Sequence, residues 1–97
     1  MIVHIVMIKF KKDTSKDKIL EIKKDIQNLT NTIKEIKFME VGINFAKEDR
    51  AMDLVLSAKF DSKEDLNIYA IDETHQKVIS KIKEVADYTK VVDYINE

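Results

Sequence analysis

Residues 2–10, IVHIVMIKF, constrain the fold of this chain more than any other segment. They are rich in β-branched residues and end at a charged run, which predicts a β-strand. Alternate side chains of a strand point to opposite faces of its sheet. Here both sets are largely apolar, namely His4, Val6, Ile8 and Phe10 on one face and Val3, Ile5 and Met7 on the other. A strand that is apolar on both faces is covered on both. The segment therefore predicts a sheet whose two faces each pack against another layer of structure.

A long amphipathic helix is predicted after the first strand. Thr14 or Ser15 can cap it, and apolar residues then recur three and four positions apart over about five turns. These residues are Ile19, Ile22, Ile26, Leu29, Ile33 and Ile36. Such a stripe indicates a helix that packs its apolar side against a sheet.

The second half of the chain reads as strands and shorter helices. Strands are predicted over residues 38–45, 52–60 and 88–95, the first with Met39, Val41, Ile43 and Phe45 on one face. Ser62 is expected to cap one helix, and Thr74 is expected to cap another with His75 in its first turn. Gly42, the only glycine, lies in the second strand and suggests a bulge, a bend or a close approach by other atoms.

The order βαββαβ predicts one α+β domain over residues 1–97, with a ferredoxin-like fold. Its helices would cover one face of a four-stranded antiparallel sheet. The other face of the first strand is also apolar, and soluble monomers seldom expose so large an apolar patch. We therefore expect a homodimer in which two sheets meet face to face as a dimeric α+β barrel.

Composition narrows the function classes. The 97 residues hold 17 basic and 18 acidic side chains and no cysteine. The near-neutral charge argues against a nucleic-acid partner, and the missing cysteine excludes a thiolate metal site or nucleophile. With neither a membrane span nor an export signal in the pattern, the expected location is the cytoplasm.

Short motifs over nearly the whole chain resemble the stress-responsive α/β-barrel domain family. They are His4, Lys9, Phe10, Gly42, Asp53, Phe60, Tyr69, His75 and the closing run from Val91 to Tyr94. The resemblance implies a dimeric α+β barrel. Most members have no assigned reaction, but a few plant members are polyketide cyclases that perform intramolecular aldol closure.

The resemblance also implies site residues. In the cyclases a histidine and a tyrosine near the second helix act as acid–base and orienting groups, which here match His75 and Tyr69, and a first-strand histidine matching His4 lines the same pocket. The family often has a histidine–proline pair before the second histidine. Asp72 and Glu73 replace that pair in this sequence.

Each of these residues also has a structural interpretation. His4 and His75 can be hydrogen-bonded core residues, and Tyr69 can be a core ring with a tethered hydroxyl. Asp53 can pair with a lysine or cap a loop, or it can orient a histidine in the cavity. Asp72, Glu73 and His75 carry metal-binding atoms, but acidic residues at a helix start more often interact with the helix dipole.

The sequence thus predicts a protein of unassigned activity that binds a small apolar molecule in the barrel. Besides the catalytic candidates His75, Tyr69 and His4, the residues expected to touch the ligand are Val6, Ile8, Phe10 and Asp53. No metal or cofactor is predicted. The alternatives are a polyketide cyclase-like enzyme and a structural protein with a filled cavity.

Overall fold

The computed structural model describes all residues, from Met1 to Glu97. Its elements are β1 (Ile2–Phe10), α1 (Lys16–Asn28), a 3₁₀ turn (Leu29–Asn31), β2 (Phe38–Ile43), β3 (Leu54–Phe60), α2 (Lys63–Ile71), α3 (Glu73–Val85) and β4 (Ala86–Ile95). The strands form one sheet in the order β2-β3-β1-β4, and every neighbouring pair is antiparallel. The predicted four-stranded ferredoxin-like fold is confirmed. None of the three helices has the length and apolar character needed to cross a bilayer.

One face of the sheet packs against the helices and forms the hydrophobic core. The core draws on the even-numbered side of β1, on β3, on α1 and on the segment after it. Its buried members are Ile2, Ile8, Phe10, Ile22, Ile26, Leu29, Ile33, Ile36, Val41, Leu54, Leu56, Ala58, Phe60 and Tyr69. Burial of this apolar surface is the main term that stabilises the fold.

The opposite face, which we call the open face, carries no helix. Cross-strand register places Met7 beside Val55, and Ile5 beside Val92. Val55 and Val92 are exposed, as are Phe38, Tyr88 and Tyr94 on the same face. Apolar side chains of β1 therefore lie on both faces of the sheet, as the sequence predicts.

The prediction of a five-turn first helix was wrong at its C-terminus. Ser15 caps α1 by accepting a hydrogen bond from the Lys18 backbone N–H, but the helix ends at Asn28. The Thr30 and Thr32 hydroxyls then donate to nearby backbone carbonyls. Threonine favours such local bonds over helix continuation. Ile33 and Ile36 still reach the core, but from an irregular segment. 

The predicted ends of β2, β3 and β4 also needed correction. β2 ends at Ile43 because the Asn44 side chain and the Ala46 backbone exchange two hydrogen bonds, a turn that asparagine favours. Phe45 consequently leaves the strand and is 95% exposed. β3 starts at Leu54, two residues later than predicted, and β4 starts at Ala86, two residues earlier.

Gly42 does not carry the predicted bulge. It pairs with Val55 in regular register, and a Cβ at this position would lie 3.5 Å from Val55 Cγ1, which is an ordinary contact. The irregularity of the sheet lies instead between Lys9 and Phe10, where the pairing of β1 with β4 shifts.

Candidate functional site

The junction of α2 and α3 positions the first two site residues. α2 ends at Ile71, and Asp72 immediately caps α3 by accepting a hydrogen bond from the His75 backbone N–H at 3.1 Å. The predicted cap, Thr74, is already inside the helix, because the Asp72 carboxylate is the group that reaches the free N–H. His75 still lies in the first turn, as predicted.

Tyr69 and His75 stack on each other across this junction. Their ring centroids are 3.9 Å apart with an interplanar angle of 24°. The edge of His4, from β1, meets Tyr69 with centroids 5.8 Å apart, and Phe60 packs on Tyr69 at 5.2 Å. The two histidines and the tyrosine predicted from sequence are therefore brought together, with Tyr69 in contact with both histidines.

These rings border a cavity of about 270 Å³, which we call the histidine cavity. It is lined by His4, Val6, Ile8, Leu56, Tyr69, His75, Ile79, Ile82, Lys83, Thr89 and Val91. Most of the lining is apolar. Exposed residues of β4 and the C-terminal turn of α3 form part of its wall, so the cavity reaches the surface.

The histidine cavity lies between the sheet and the helices of a single chain. The sequence predicts ligand binding in the barrel formed by two chains, but His4, Tyr69 and His75 line a cavity within one chain instead. The reason is register: His4 shares the side of β1 with Val6 and Ile8, and this side faces α2 and α3.

One nitrogen of His75 is committed to the backbone. Its Nδ1 lies 2.8 Å from the carbonyl oxygen of Tyr69. A carbonyl only accepts, so Nδ1 carries the proton and Nε2 carries the lone pair of the neutral ring. Burial lowers the pKa of the His75 imidazole, and the nearby His4 lowers it further, whereas the Tyr69 carbonyl and Asp72 oppose the shift. At neutral pH His75 is thus an uncharged base with a defined free nitrogen.

His4 is oriented by Asp93, which lies in the closing run from Val91 to Tyr94 but is not among the predicted site residues. The two residues are opposite each other in the pairing of β1 with β4, and His4 Nδ1 bonds the Asp93 carboxylate. An ionised carboxylate only accepts hydrogen bonds, so Nδ1 of His4 donates this one and carries a proton. The other ring nitrogen, Nε2, takes no part in the bond. Alternation along β4 predicts which of its residues share a face of the sheet. Only the pairing of β4 with β1 shows that Asp93 lies opposite His4.

Tyr69 combines a core position with a polar group. Its side chain is 1% exposed, and burial raises the pKa of its phenol to about 12, which keeps the hydroxyl protonated at neutral pH. The Tyr69 carbonyl accepts a hydrogen bond from His75, but the Tyr69 hydroxyl forms none within the chain. Tyr69 lines the histidine cavity, and a protonated phenol hydroxyl can donate a hydrogen bond.

The four residues expected to touch a ligand divide into two pairs. Val6 and Ile8 line the histidine cavity. Phe10 is a core residue outside the lining. Asp53 accepts a hydrogen bond from the Phe10 backbone N–H at 2.8 Å and pairs with Lys9 at 3.4 Å, so it corresponds to the lysine-pairing alternative.

The acidic residues next to His75 do not form a metal-binding group with it. The Asp72 carboxylate caps α3, as described above. Asp72 thus interacts with the start of the helix, which is the structural interpretation that the sequence offered as the alternative to a metal site.

Comparison with known proteins gives a family and several similar structures. The family model described as the stress-responsive A/B barrel domain matches residues 2–96. A dimeric protein of unknown function with a ferredoxin-like fold from Bacteroides fragilis is 27% identical, with a TM-score of 0.82 over 96% of this chain and 93% of its own. Hydroxynitrile lyase from Passiflora edulis is 26% identical, with a TM-score of 0.88 over 99% and 94% of the two chains. A protein from Arabidopsis thaliana is 25% identical, with a TM-score of 0.89 over 100% and 96%. No curated protein sequence matches the chain.

Proposed function

The chain belongs to the stress-responsive A/B barrel domain family, and we propose that it binds a small, mostly apolar molecule in the histidine cavity. One observation carries this proposal: three rings with hydrogen-bonding groups converge on a cavity whose other walls are largely apolar. Binding sites for small molecules typically combine apolar walls with a few polar groups that fix the orientation of the ligand.

The size of the cavity limits the ligand. Its volume of about 270 Å³ accommodates roughly ten to twenty non-hydrogen atoms, judged from the space that a single water molecule needs. The Tyr69 hydroxyl offers a donor, while Nε2 of neutral His75 offers an acceptor. A molecule with an apolar body and one oxygen function that both donates and accepts, such as an alcohol or a phenol, complements this site.

The proposal is tested by titrating the protein with decanol and following methyl signals by NMR. We expect saturable shifts of the methyl groups of Ile8, Ile79 and Ile82, which line the cavity. The methyl groups of Val55 and Val92, on the open face, should not follow the same curve. Shifts confined to the open face, or no saturable shift at all, would contradict the proposal.

Two neighbouring valines provide a matched pair of variants. Val91 lines the histidine cavity, whereas Val92 points to the open face, and the two are 58% and 52% exposed. Val91→Phe fills part of the cavity and should weaken decanol binding about tenfold, while Val92→Phe should leave it unchanged. Equal effects of both substitutions would count against the histidine cavity as the site.

We also propose that the open face is the contact of a homodimer. Five large apolar or aromatic residues on it are exposed in the single chain, and a patch of that kind commonly marks an interface. The similar protein from Bacteroides fragilis is described as dimeric. Because the histidine cavity lies on the other side of the sheet, dimer formation and ligand binding use different surfaces.

Sedimentation equilibrium tests the dimer. We expect the native chain to be dimeric at micromolar concentration, and Val92→Glu to raise the dimer dissociation constant at least tenfold, because each copy would bury an unpaired carboxylate. Leu20→Glu is the control, since Leu20 is similarly exposed, at 45%, but lies on α1. A native chain that stays monomeric at this concentration refutes the proposal.

A second candidate function is acid–base catalysis of the kind found in polyketide cyclases. The observation that favours it is the fixed tautomer of His75, which directs an uncharged nitrogen away from its carbonyl partner. In an aldol closure, Nε2 of His75 removes a proton from a carbon next to a carbonyl, and that carbon attacks a second carbonyl of the same molecule. The imidazolium then returns the proton to the new alkoxide oxygen, while the Tyr69 hydroxyl donates a hydrogen bond to the developing negative charge.

His4 would support this chemistry by hydrogen-bonding the substrate through Nε2, with Asp93 holding its ring in place. The similar structure from Passiflora edulis is a hydroxynitrile lyase, which is consistent with an enzymatic role for such a chain. Binding and catalysis use the same cavity, so binding is the more general proposal and catalysis requires it.

A further inference from the structure

Lys83 is the only lysine, arginine, aspartate or glutamate in the lining of the histidine cavity. It forms no ion pair within the chain. Lys81, two residues earlier, behaves differently: its ammonium group pairs with Glu21 and Asp25 on α1. The helix therefore presents one lysine to a neighbouring helix and another, without an acidic partner, to the cavity.

α3 arranges the cavity residues in one line. His75, Ile79, Ile82 and Lys83 follow one another at spacings of four, three and one residues, which is a single stripe along a helix. His75 and Lys83 are separated by about 12 Å along the helix axis, at 1.5 Å per residue. The polar groups thus stand at the two ends of an apolar strip.

We propose that Lys83 binds the carboxylate of an amphipathic ligand in the histidine cavity. The apolar body of this ligand lies along Ile79 and Ile82, and its other end reaches the rings of His75 and Tyr69. The ligand class is therefore a small organic acid with an extended apolar chain. This inference deepens the proposed function and rests on it.

The charge distribution favours an anion over a neutral ligand. A carboxylate next to Lys83 forms a charge-assisted hydrogen bond, and no acidic residue of the lining competes for the ammonium group. Lys83 also lies in the last turn of α3, where a cation interacts favourably with the helix dipole. The dipole interaction stabilises the helix whether or not a ligand is bound. A change in ligand affinity therefore distinguishes the carboxylate-binding role of Lys83 from its role at the end of the helix.

Decanoate and decanol, which share one chain length, are the probes. Lys83 is exposed, so isothermal titration at low salt should show decanoate binding to the native protein about two to five times more tightly than decanol, the range for an exposed ion pair. Lys83→Gln should abolish this preference, and Lys83→Arg should keep most of it. Added salt should reduce the preference, because counterions screen the pair.

Lys77→Gln is the matched control, since Lys77 is exposed on the same helix but does not line the cavity. It should leave the preference unchanged. If the native protein binds both probes equally, or if Lys83→Gln keeps the preference, the role of Lys83 is refuted while the proposed function stands. If neither probe binds at the cavity methyl groups, the proposed function fails and this inference fails with it.

Discussion

Replacing Tyr69 by alanine is expected to lower the free energy of unfolding by about 3–5 kcal/mol, as for other large aromatic core residues. Tyr69 is one of the largest fully buried side chains, and it packs on Phe60, His4 and His75. Its removal leaves a void in the core and also takes away the ring on which His75 stacks. A loss of this size is a large part of the 5–15 kcal/mol that typically stabilises a domain. Urea denaturation followed by circular dichroism measures it.

Tyr69→Phe is the matched control, because it keeps the ring and deletes only the hydroxyl. The hydrogen bond at Tyr69 involves its backbone carbonyl and not its hydroxyl, so the free energy of unfolding should change by less than about 1 kcal/mol. The same variant should weaken decanol binding if the hydroxyl donates to the ligand. A strong destabilisation by Tyr69→Phe would mean that the hydroxyl is a structural group, which would argue against its role in binding.

His75→Gln is expected to lower the rate of proton abstraction at least about 100-fold if the chain is an acid–base enzyme, which is the low end for a general base. The probe is an aryl methyl ketone in D₂O, with the incorporation of deuterium into its methyl group followed by NMR. Lys77→Gln should have no effect. If the unmutated protein exchanges no faster than buffer, the cyclase-like proposal is refuted, and binding alone is left.

The pH profile of this exchange provides an independent check on His75. Burial lowers the pKa of its imidazole below the usual value of about 6.5, so the ring is already unprotonated at pH 7. The rate attributable to His75 should therefore be flat near neutrality, and it should fall only when the pH drops below the usual histidine range and Nε2 becomes protonated. A fall centred at or above 6.5 would contradict the assignment of His75 as the base.

The sequence predicted the order of the elements and much of the site. β-branched alternation predicted β1, and the capping residues Thr14 or Ser15 and Ser62 predicted helix starts, with Ser15 and Ser62 being the caps in the structure. Both signals depend on neighbouring residues. The family assignment, made from short motifs, is also confirmed. The cytoplasmic location stays a prediction.

The errors arose where local bonds compete. At the end of α1, the Thr30 and Thr32 hydroxyls bond backbone carbonyls three residues earlier, in the segment where the regular helix ends. At Asn44 the side chain formed a turn within an apolar pattern. Hydrophobic periodicity contains no information about such hydrogen bonds. Ile33, Ile36 and Phe45 therefore fit the apolar pattern of a helix or strand, although they lie beyond the ends of α1 and β2.

By itself, the sequence determined that β1 has two apolar faces and that His4 shares one of them with Val6 and Ile8, since alternation along a strand is a local property. Only the tertiary structure decided which face meets the helices. It also decided that Asp93 lies opposite His4 and that Lys83 reaches the same cavity. These are contacts between residues far apart in the chain, and they depend on strand register and helix packing. The two apolar faces were therefore predicted from the sequence, while the histidine cavity on one face and the open face on the other are features of the tertiary structure.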